Sequence, residues 1–217
     1  DNYGAQMQRE STKILFNYWN EIRGSRSAPE RKDVEPTKIR QALGNTFILE
    51  SRENLDDGEF AFRLAGSHLC SAYCRELKAR SFSKLWHKRD RDAINTLIKA
   101  VTEDHAVALV TFEGTSSSAN KMVFETILLP LRHNGSSSNR ILGAMSAMDE
   151  PYWFGAQPIV EHFAARVGLG QTPGQLRGIA MGEHNAAGAQ HAPVLAKVHG
   201  VNARRYAHLS VIDGGRN

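Results

Sequence analysis

Apolar side chains recur about four positions apart near the start of the chain, over Thr12–Arg23. This spacing predicts an amphipathic α-helix with one apolar face. Such a face does not remain in water, so it either caps the rest of the chain or supports self-association as a homodimer. Sequence alone leaves both alternatives open, because both bury the same side chains. The residues concerned are Ile14, Leu15, Tyr18, Trp19 and Ile22.

Five later segments have the alternating polarity or the β-branched and aromatic composition of strands. The first two flank Asp56-Asp57-Gly58, a turn sequence that predicts an antiparallel hairpin. Short polar segments separate the last three, which favours antiparallel neighbours there too. The predicted strands are Thr46–Ser51, Glu59–Ala65, Val107–Thr115, Lys121–Arg132 and Arg140–Asp149.

Helical periodicity occupies the stretch between the second and third strands, from Ser67 to about His105. The sequence therefore predicts an α+β fold: a five-stranded antiparallel sheet with helices inserted between strands 2 and 3. Such a sheet curves over those helices and encloses a pocket. Strand alternation predicts that Phe62, Met122, Phe124 and Met145 are buried.

The chain divides into three predicted regions. Residues 1–35 form the N-terminal flanking helix and a linker, residues 36–150 form the main domain, and residues 151–217 form a C-terminal extension. Within that extension, Ile159–Val167 is predicted to be a helix and Ala207–Asp213 an added strand. The residues beyond Gly170 are rich in Gly, Ala and His.

Composition places the chain among globular proteins, with 41% hydrophobic and 23% charged residues in 217. Two cysteines are too few for a disulfide framework, so the expected location is the reducing cytoplasm. An uninterrupted apolar run of membrane-spanning length is absent from the sequence, and no membrane partner is expected.

Positive charge concentrates between Arg75 and Lys99, where eight basic residues accompany three acidic ones. The surplus of five charges exceeds the net +4 of the whole chain. An acidic partner or a nucleotide would explain this surplus, and so would a solvated helix face. No nucleic-acid-binding motif accompanies it, so nucleic acid is not the expected partner.

Motifs for catalysis are also absent from the sequence. Gly168–Gly174 has the wrong spacing for a phosphate-binding loop and contains Pro173. Neither a nucleophile elbow nor a zinc-protease motif occurs. The chain is therefore predicted to have no catalytic residues and not to be an enzyme.

Several segments together resemble the PAS-domain family. Phe62-Arg63-Leu64-Ala65-Gly66-Ser67 resembles its strand and Gly-containing turn, and Glu76-Leu77 with Arg80-Ser81-Phe82 resembles the stretch that follows. Lys78-Ala79 departs from the usual variable residue and Gly. With Tyr18-Trp19 and Ser81–Trp86 added, the chain resembles a family of short PAS-domain proteins from alphaproteobacteria, over roughly Tyr18 to Asp149.

The resemblance implies a bacterial regulatory sensor or interaction module without its own output domain. It would signal by binding a regulatory protein partner, with or without a small-molecule ligand, and would form a homodimer. The alternative is a small-molecule-binding enzyme or carrier that uses the same cavity. The candidate pocket residues, which an ordinary core would also explain, are Phe62, Leu64, Tyr73, Trp86, Leu97, Met122, Phe124 and Met145.

The sequence predicts no bound cofactor. Light-sensing PAS domains carry a reactive cysteine in a segment that Ala79–Trp86 resembles, and Phe82 takes that position here. Haem would need an axial histidine, with His68, His87 and His105 as the candidates. Cys70 and Cys74 lie i, i+4 on a predicted helix near His68, but no fourth metal ligand is evident, so both are interpreted as buried apolar residues.

Overall fold

The structure, a computed structural model, describes residues 7–52, 59–134, 137–170, 177–180 and 210–211. Its strands are β1 (Thr46–Ser51), β2 (Phe60–Ala65), β3 (Val107–Ser116), β4 (Lys121–His133), β5 (Ser137–Ala147), β6 (Ile159–Gly170), β7 (Arg177–Ala180) and β8 (Ser210–Val211). They form one antiparallel sheet in the order β2-β1-β5-β4-β3-β6-β7-β8.

Among the described residues, three α-helices accompany the sheet: α1 (Glu10–Arg23), α2 (Ser67–Ala72) and α3 (Arg91–Glu103). α2 and α3 fall between β2 and β3, as predicted. Short 3-10 helices cover Arg31–Asp33, Pro36–Ile39, Leu43–Asn45, Ser83–Leu85 and Lys88–Asp90. In the described part of the chain, none of the helices is long and apolar enough to cross a membrane.

The five predicted strands form the contiguous block β2-β1-β5-β4-β3, and β1 has its predicted bounds. The sheet then continues beyond β3 with β6, β7 and β8. β8 lies within the predicted strand Ala207–Asp213. The predicted hairpin turn at Asp56–Gly58 lies outside the described residues.

The helix predicted over Ile159–Val167 is wrong, because this segment is β6. Two register shifts against β3 leave Val160 and Ala165 as extra residues in β6. Each extra residue shifts the alternation by one position, so the buried side chains described in β6 do not follow a strict period of two. These buried residues are Ile159, His162, Ala164, Val167 and Leu169.

Leu64 is corrected as a pocket residue, because 47% of it is exposed. The pairing of β1 with β2 shifts between Ile48 and Leu49, so that Arg63 is an extra residue in β2. Leu64 consequently pairs with Ile48, which packs on the opposite face of the sheet from Phe62. The β-bulge thus turns Leu64 away from the interior.

Each face of the sheet has its own apolar cluster. The inner face, covered by α2, α3 and the segment between them, carries most of the aromatic side chains. The outer face is largely aliphatic and is covered by α1, which contacts β4 and β5. The helix that caps the sheet therefore lies on the outer face, and the candidate functional site lies on the inner face.

α1 caps its own sheet, which corrects the dimerisation prediction for its two central residues. Leu15 and Trp19 are completely buried within one chain, and Trp19 Nε1 donates a hydrogen bond of 2.9 Å to Pro130 O. They are therefore not accessible to a second copy. The other three candidates, Ile14, Tyr18 and Ile22, are half-buried against the same cluster.

Candidate functional site

Seven of the eight candidate pocket residues lie together in the cluster on the inner face. They are Phe62, Tyr73, Trp86, Leu97, Met122, Phe124 and Met145, and all are buried. The predicted burial of Phe62, Met122, Phe124 and Met145 is confirmed. Further aromatic rings, from Phe47, Phe82 and Phe112, pack among them at centroid distances between 4.9 and 5.9 Å.

A histidine that is not among the predicted site residues lies within this aromatic cluster. His162 projects from β6, pairs with Gly114 of β3 and is completely buried. Gly114 makes room for the rings, since a Cβ there would lie 2.6 Å from the ring of Phe124. The predicted helix over Ile159–Val167 concealed the inward direction of His162. Its inward direction becomes evident only when the segment is recognised as a strand with two bulges.

His162 is held beside Tyr73, the residue that directly follows α2. The Tyr73 hydroxyl lies 2.6 Å from His162 Nε2 and 3.3 Å from Met145 Sδ. Burial lowers the pKa of His162 to about 3, and burial also raises the pKa of Tyr73. Both groups are therefore neutral at physiological pH.

The proton of neutral His162 can be assigned from this geometry. An imidazole nitrogen is a stronger acceptor than a thioether sulfur, so the Tyr73 hydroxyl donates to Nε2. The ring proton of His162 then resides on Nδ1, which becomes a donor. We refer to Tyr73, His162 and Trp86 as the polar centre.

Two donors of the polar centre are left without acceptors. In the described part of the chain, neither His162 Nδ1 nor Trp86 Nε1 has a hydrogen-bond partner, and both atoms are buried. The two rings are neighbours, with centroids 5.0 Å apart and an interplanar angle of 89°. Among the described residues, the other unpaired buried side-chain polar atoms belong to Arg9, Thr12 and Thr115, outside this cluster. An unpaired buried donor is costly, so two in adjacent rings mark a place that suits an acceptor.

The backbone beside Trp86 fixes it to β6. His87 N donates to His162 O at 2.9 Å, and Trp86 bridges His162 in parallel register. Slightly further on, the buried carboxylate of Asp90 accepts a hydrogen bond from Ala164 N at 3.0 Å. The polar centre is therefore held between β6 and the segment that precedes α3.

A second group of buried polar side chains lies on the outer face, at the start of α1. The carboxylate of Glu125 accepts hydrogen bonds from Gln8 N at 2.8 Å and Arg9 N at 2.9 Å. The hydroxyls of Ser11 and Ser146 are hydrogen-bonded beside it. A surface cavity of about 340 Å³ opens here, lined by Arg9, Glu10, Ser11, Ile14, Gln41, Asn45, His68, Ser146, Ala147, Glu150 and Phe154. This lining includes none of the candidate pocket residues.

The cysteines differ from their predicted arrangement. α2 ends at Ala72, so Cys70 and Cys74 do not share a helical face. Cys74 is exposed and Cys70 partly exposed, which corrects their interpretation as buried apolar residues. Phe82, at the position of the reactive cysteine of light-sensing PAS domains, is completely buried in the aromatic cluster.

Comparison with solved structures gives distant matches to light-oxygen-voltage domains. The match to such a domain studied with a flavin analogue has 15% identity and a TM-score of 0.41, covering 54% of this chain and 85% of the other. The match to the light-state light-oxygen-voltage domain of the blue-light photoreceptor Aureochrome1 has 17% identity and a TM-score of 0.38, covering 52% and 88%. Matches this distant carry no argument about chemistry.

The family comparison is more direct. A family model described as a PAS domain matches residues 7–146, which include α1, the helices between β2 and β3, and the five-strand block. None of the curated proteins compared matches the chain. β6 and its His162 lie beyond the matched residues, so the polar centre combines two side chains from the matched region with one from outside it. On the strength of the family match and the strand order, the chain belongs to the PAS-domain family.

Proposed function

We propose that this PAS domain is a regulatory sensor whose polar centre binds a small neutral molecule and whose output is the binding of a protein partner. The pair of unsatisfied donors, His162 Nδ1 and Trp86 Nε1, carries this proposal. An accepting atom of a bound molecule would give such a donor the hydrogen bond that it lacks. Family membership supports the sensory or regulatory role in general.

The chemistry of the polar centre favours an uncharged ligand with a carbonyl oxygen or a ring nitrogen. His162 lies among Phe112, Trp86 and Tyr73, with centroid distances of 4.4, 5.0 and 5.6 Å. Such surroundings disfavour a net charge and offer ring faces for stacking. A flat, neutral molecule with an accepting atom fits both properties.

The polar centre is better suited to binding than to catalysis. A general acid or base needs a pKa near the working pH, whereas burial lowers the pKa of His162 to about 3. The pKa of Tyr73 moves upwards, away from neutrality. We therefore assign His162 and Tyr73 a recognition role and do not propose an enzyme.

Native mass spectrometry of the protein purified from its own host tests the proposal. We expect a retained small molecule that is lost when Trp86 and His162 are both replaced by Phe. The matched control is Trp19→Phe, since Trp19 is equally buried but lies on the outer face. A protein without any retained mass, or one whose retained mass survives the double replacement, would contradict the proposal.

A further inference from the structure

We propose that a strip of exposed cations on the segment before α3 is the docking surface for an acidic face of the partner protein. The basic strip consists of Lys78, Arg80, Lys84, Lys88 and Arg89, all of which are exposed. The inference rests on the proposed function, because it names the kind of partner that the sensor would bind. It also assigns a role to the positive charge that the sequence concentrates in this region.

The basic strip is held at its first end by the edge of β2. Ala79 N donates to Phe62 O at 2.7 Å, and Phe62 N donates to Arg80 O at 2.9 Å. One step further, Phe82 N donates to Phe60 O at 2.9 Å. The segment that carries Lys78, Arg80 and Lys84 thus extends the sheet edge instead of forming a free loop.

The other end of the strip is held by β6, on the far side of the five-strand block. There the hydrogen bonds of His87 N and of the Asp90 carboxylate join the segment to His162 O and Ala164 N. Lys88 and Arg89 lie between these two attachments. The strip therefore runs between opposite edges of the core sheet, with its backbone fixed before any partner binds. Such preorganisation lowers the entropic cost of docking.

Most of the positive charge of the strip is not neutralised by acidic side chains of the described residues. Lys84 lies 3.4 Å from Glu59, and Arg89 lies 3.4 Å from Asp90, which also accepts from Ala164 N. Among the described residues, Lys78 and Lys88 have no ion pair. A surface of one sign on a rigid segment attracts and orients a partner of the opposite sign.

The strip fits an acidic protein surface better than a nucleic acid. Proteins that hold single strands stack bases on exposed aromatic rings, whereas the aromatic residues of this segment, Phe82 and Trp86, are buried. Acidic residues also flank the strip, since Glu76 and Asp92 are exposed on either side of it. They would repel a continuous phosphate backbone but would match basic residues at the rim of a protein interface.

The basic strip and Trp86 of the polar centre belong to one segment of the chain. This segment links ligand binding at the polar centre to partner binding at the strip. Phe82 and Trp86 alternate with the exposed cations and point into the aromatic cluster. Trp86 contacts His162 directly, at a centroid distance of 5.0 Å. A ligand that reorients Trp86 would therefore move Lys84 and Lys88, the cations on either side of it.

The test uses a fluorescein-labelled poly-glutamate peptide and follows its binding to the full chain by anisotropy at physiological ionic strength. Neutralising Lys78, Lys84 and Lys88 to Gln should weaken binding about tenfold, as expected for three lost surface ion pairs. The matched control, Lys32→Gln with Lys38→Gln and Lys121→Gln, removes the same charge from exposed positions outside the region between Arg75 and Lys99. It should change binding less than about twofold.

Three outcomes would overturn the inference: no binding of the peptide, equal losses in both triple variants, or tighter binding of a duplex DNA that displaces the peptide. Circular dichroism of each variant excludes loss of fold as the cause. The retained-ligand experiment is independent of this one. If no small molecule is retained but the strip variant still loses the peptide selectively, the sensor proposal fails and the docking surface stands.

Discussion

Two buried tryptophans, one on each face of the sheet, differ in the hydrogen bonding of their indole nitrogens. Trp19 and Trp86 are both almost completely inaccessible to solvent. On the outer face, Trp19 Nε1 donates to Pro130 O at 2.9 Å. On the inner face, Trp86 Nε1 has no partner among the described residues.

One indole N–H is used in a hydrogen bond that stabilises the fold, whereas the other is free to bind a ligand. Proteins pair most of their buried donors, because an unpaired donor loses its bond to water without replacing it. Trp19 obeys this rule and fastens α1 to β4. Trp86 does not, and the unpaired His162 Nδ1 lies in the neighbouring ring. The outer face therefore supplies stability, and the inner face holds the candidate site.

The largest expected effect comes from removing the outer tryptophan altogether. Trp19→Ala deletes a completely buried ring and its hydrogen bond, and should lower the free energy of unfolding by about 3–5 kcal/mol. Urea denaturation measures this loss. Ile14→Ala, at a half-buried position of the same helix, should cost much less. A stable Trp19→Ala protein whose sedimentation shows only a change from dimer to monomer would contradict the capping role of α1.

A second large effect is expected at the start of α1. Glu125→Ala removes the acceptor for Gln8 N and Arg9 N and should cost about 3 kcal/mol in unfolding free energy. The matched control is Glu113→Ala on neighbouring β3, where a partly exposed carboxylate pairs with Lys121 at 2.8 Å. That replacement should cost less than about 1 kcal/mol. Equal losses in the two variants would show that Glu125 does not anchor α1.

The sequence predicts the elements of this fold well wherever alternation is regular. β1 was predicted with its observed bounds, and the buried positions Phe62, Met122, Phe124 and Met145 were identified from period-two patterns. These patterns are local, so they can be read without knowing which strands pair.

The errors occur where an extra residue interrupts the alternation. One bulge at Arg63 turned Leu64 outwards, and two bulges in β6 made a strand resemble a helix. His162 was missed for the same reason, since its inward direction depends on those bulges. The role of α1 was unresolved for a different reason: capping and dimerisation bury the same stripe, and only tertiary contacts distinguish them.

The buried histidine of the inner face should make the free energy of unfolding depend on pH. The pKa of His162 is lowered by burial to about 3, so the unfolded chain binds a proton near pH 6.5 that the folded chain does not. Stability from this residue is therefore lost as the pH falls below 6.5. Between pH 7 and pH 5 the wild type should lose about 2 kcal/mol more than His162→Phe.

Urea denaturation of both proteins at the two pH values measures this difference and cancels the contribution of the other histidines. His87→Phe is a useful control, because His87 is only partly buried and stacks on Phe163. Identical pH dependence in wild type and His162→Phe would mean that the pKa of His162 is the same in the folded and the unfolded chain, contrary to its lowering by burial.

The smallest expected effect tests the comparison of the two indoles most directly. Trp19→Phe and Trp86→Phe remove the same atoms from equally buried sites, but only Trp19→Phe leaves an acceptor, Pro130 O, without its donor. In protein stripped of any bound molecule by refolding, Trp19→Phe should therefore cost about 1 kcal/mol more than Trp86→Phe. In protein that retains a molecule at the polar centre, Trp86→Phe also breaks a hydrogen bond, and the difference should disappear. Urea denaturation of both variants in both preparations measures the four costs. If the two replacements cost the same in stripped protein, Trp86 Nε1 is already satisfied, for instance by a buried water, and the indole no longer marks a ligand site.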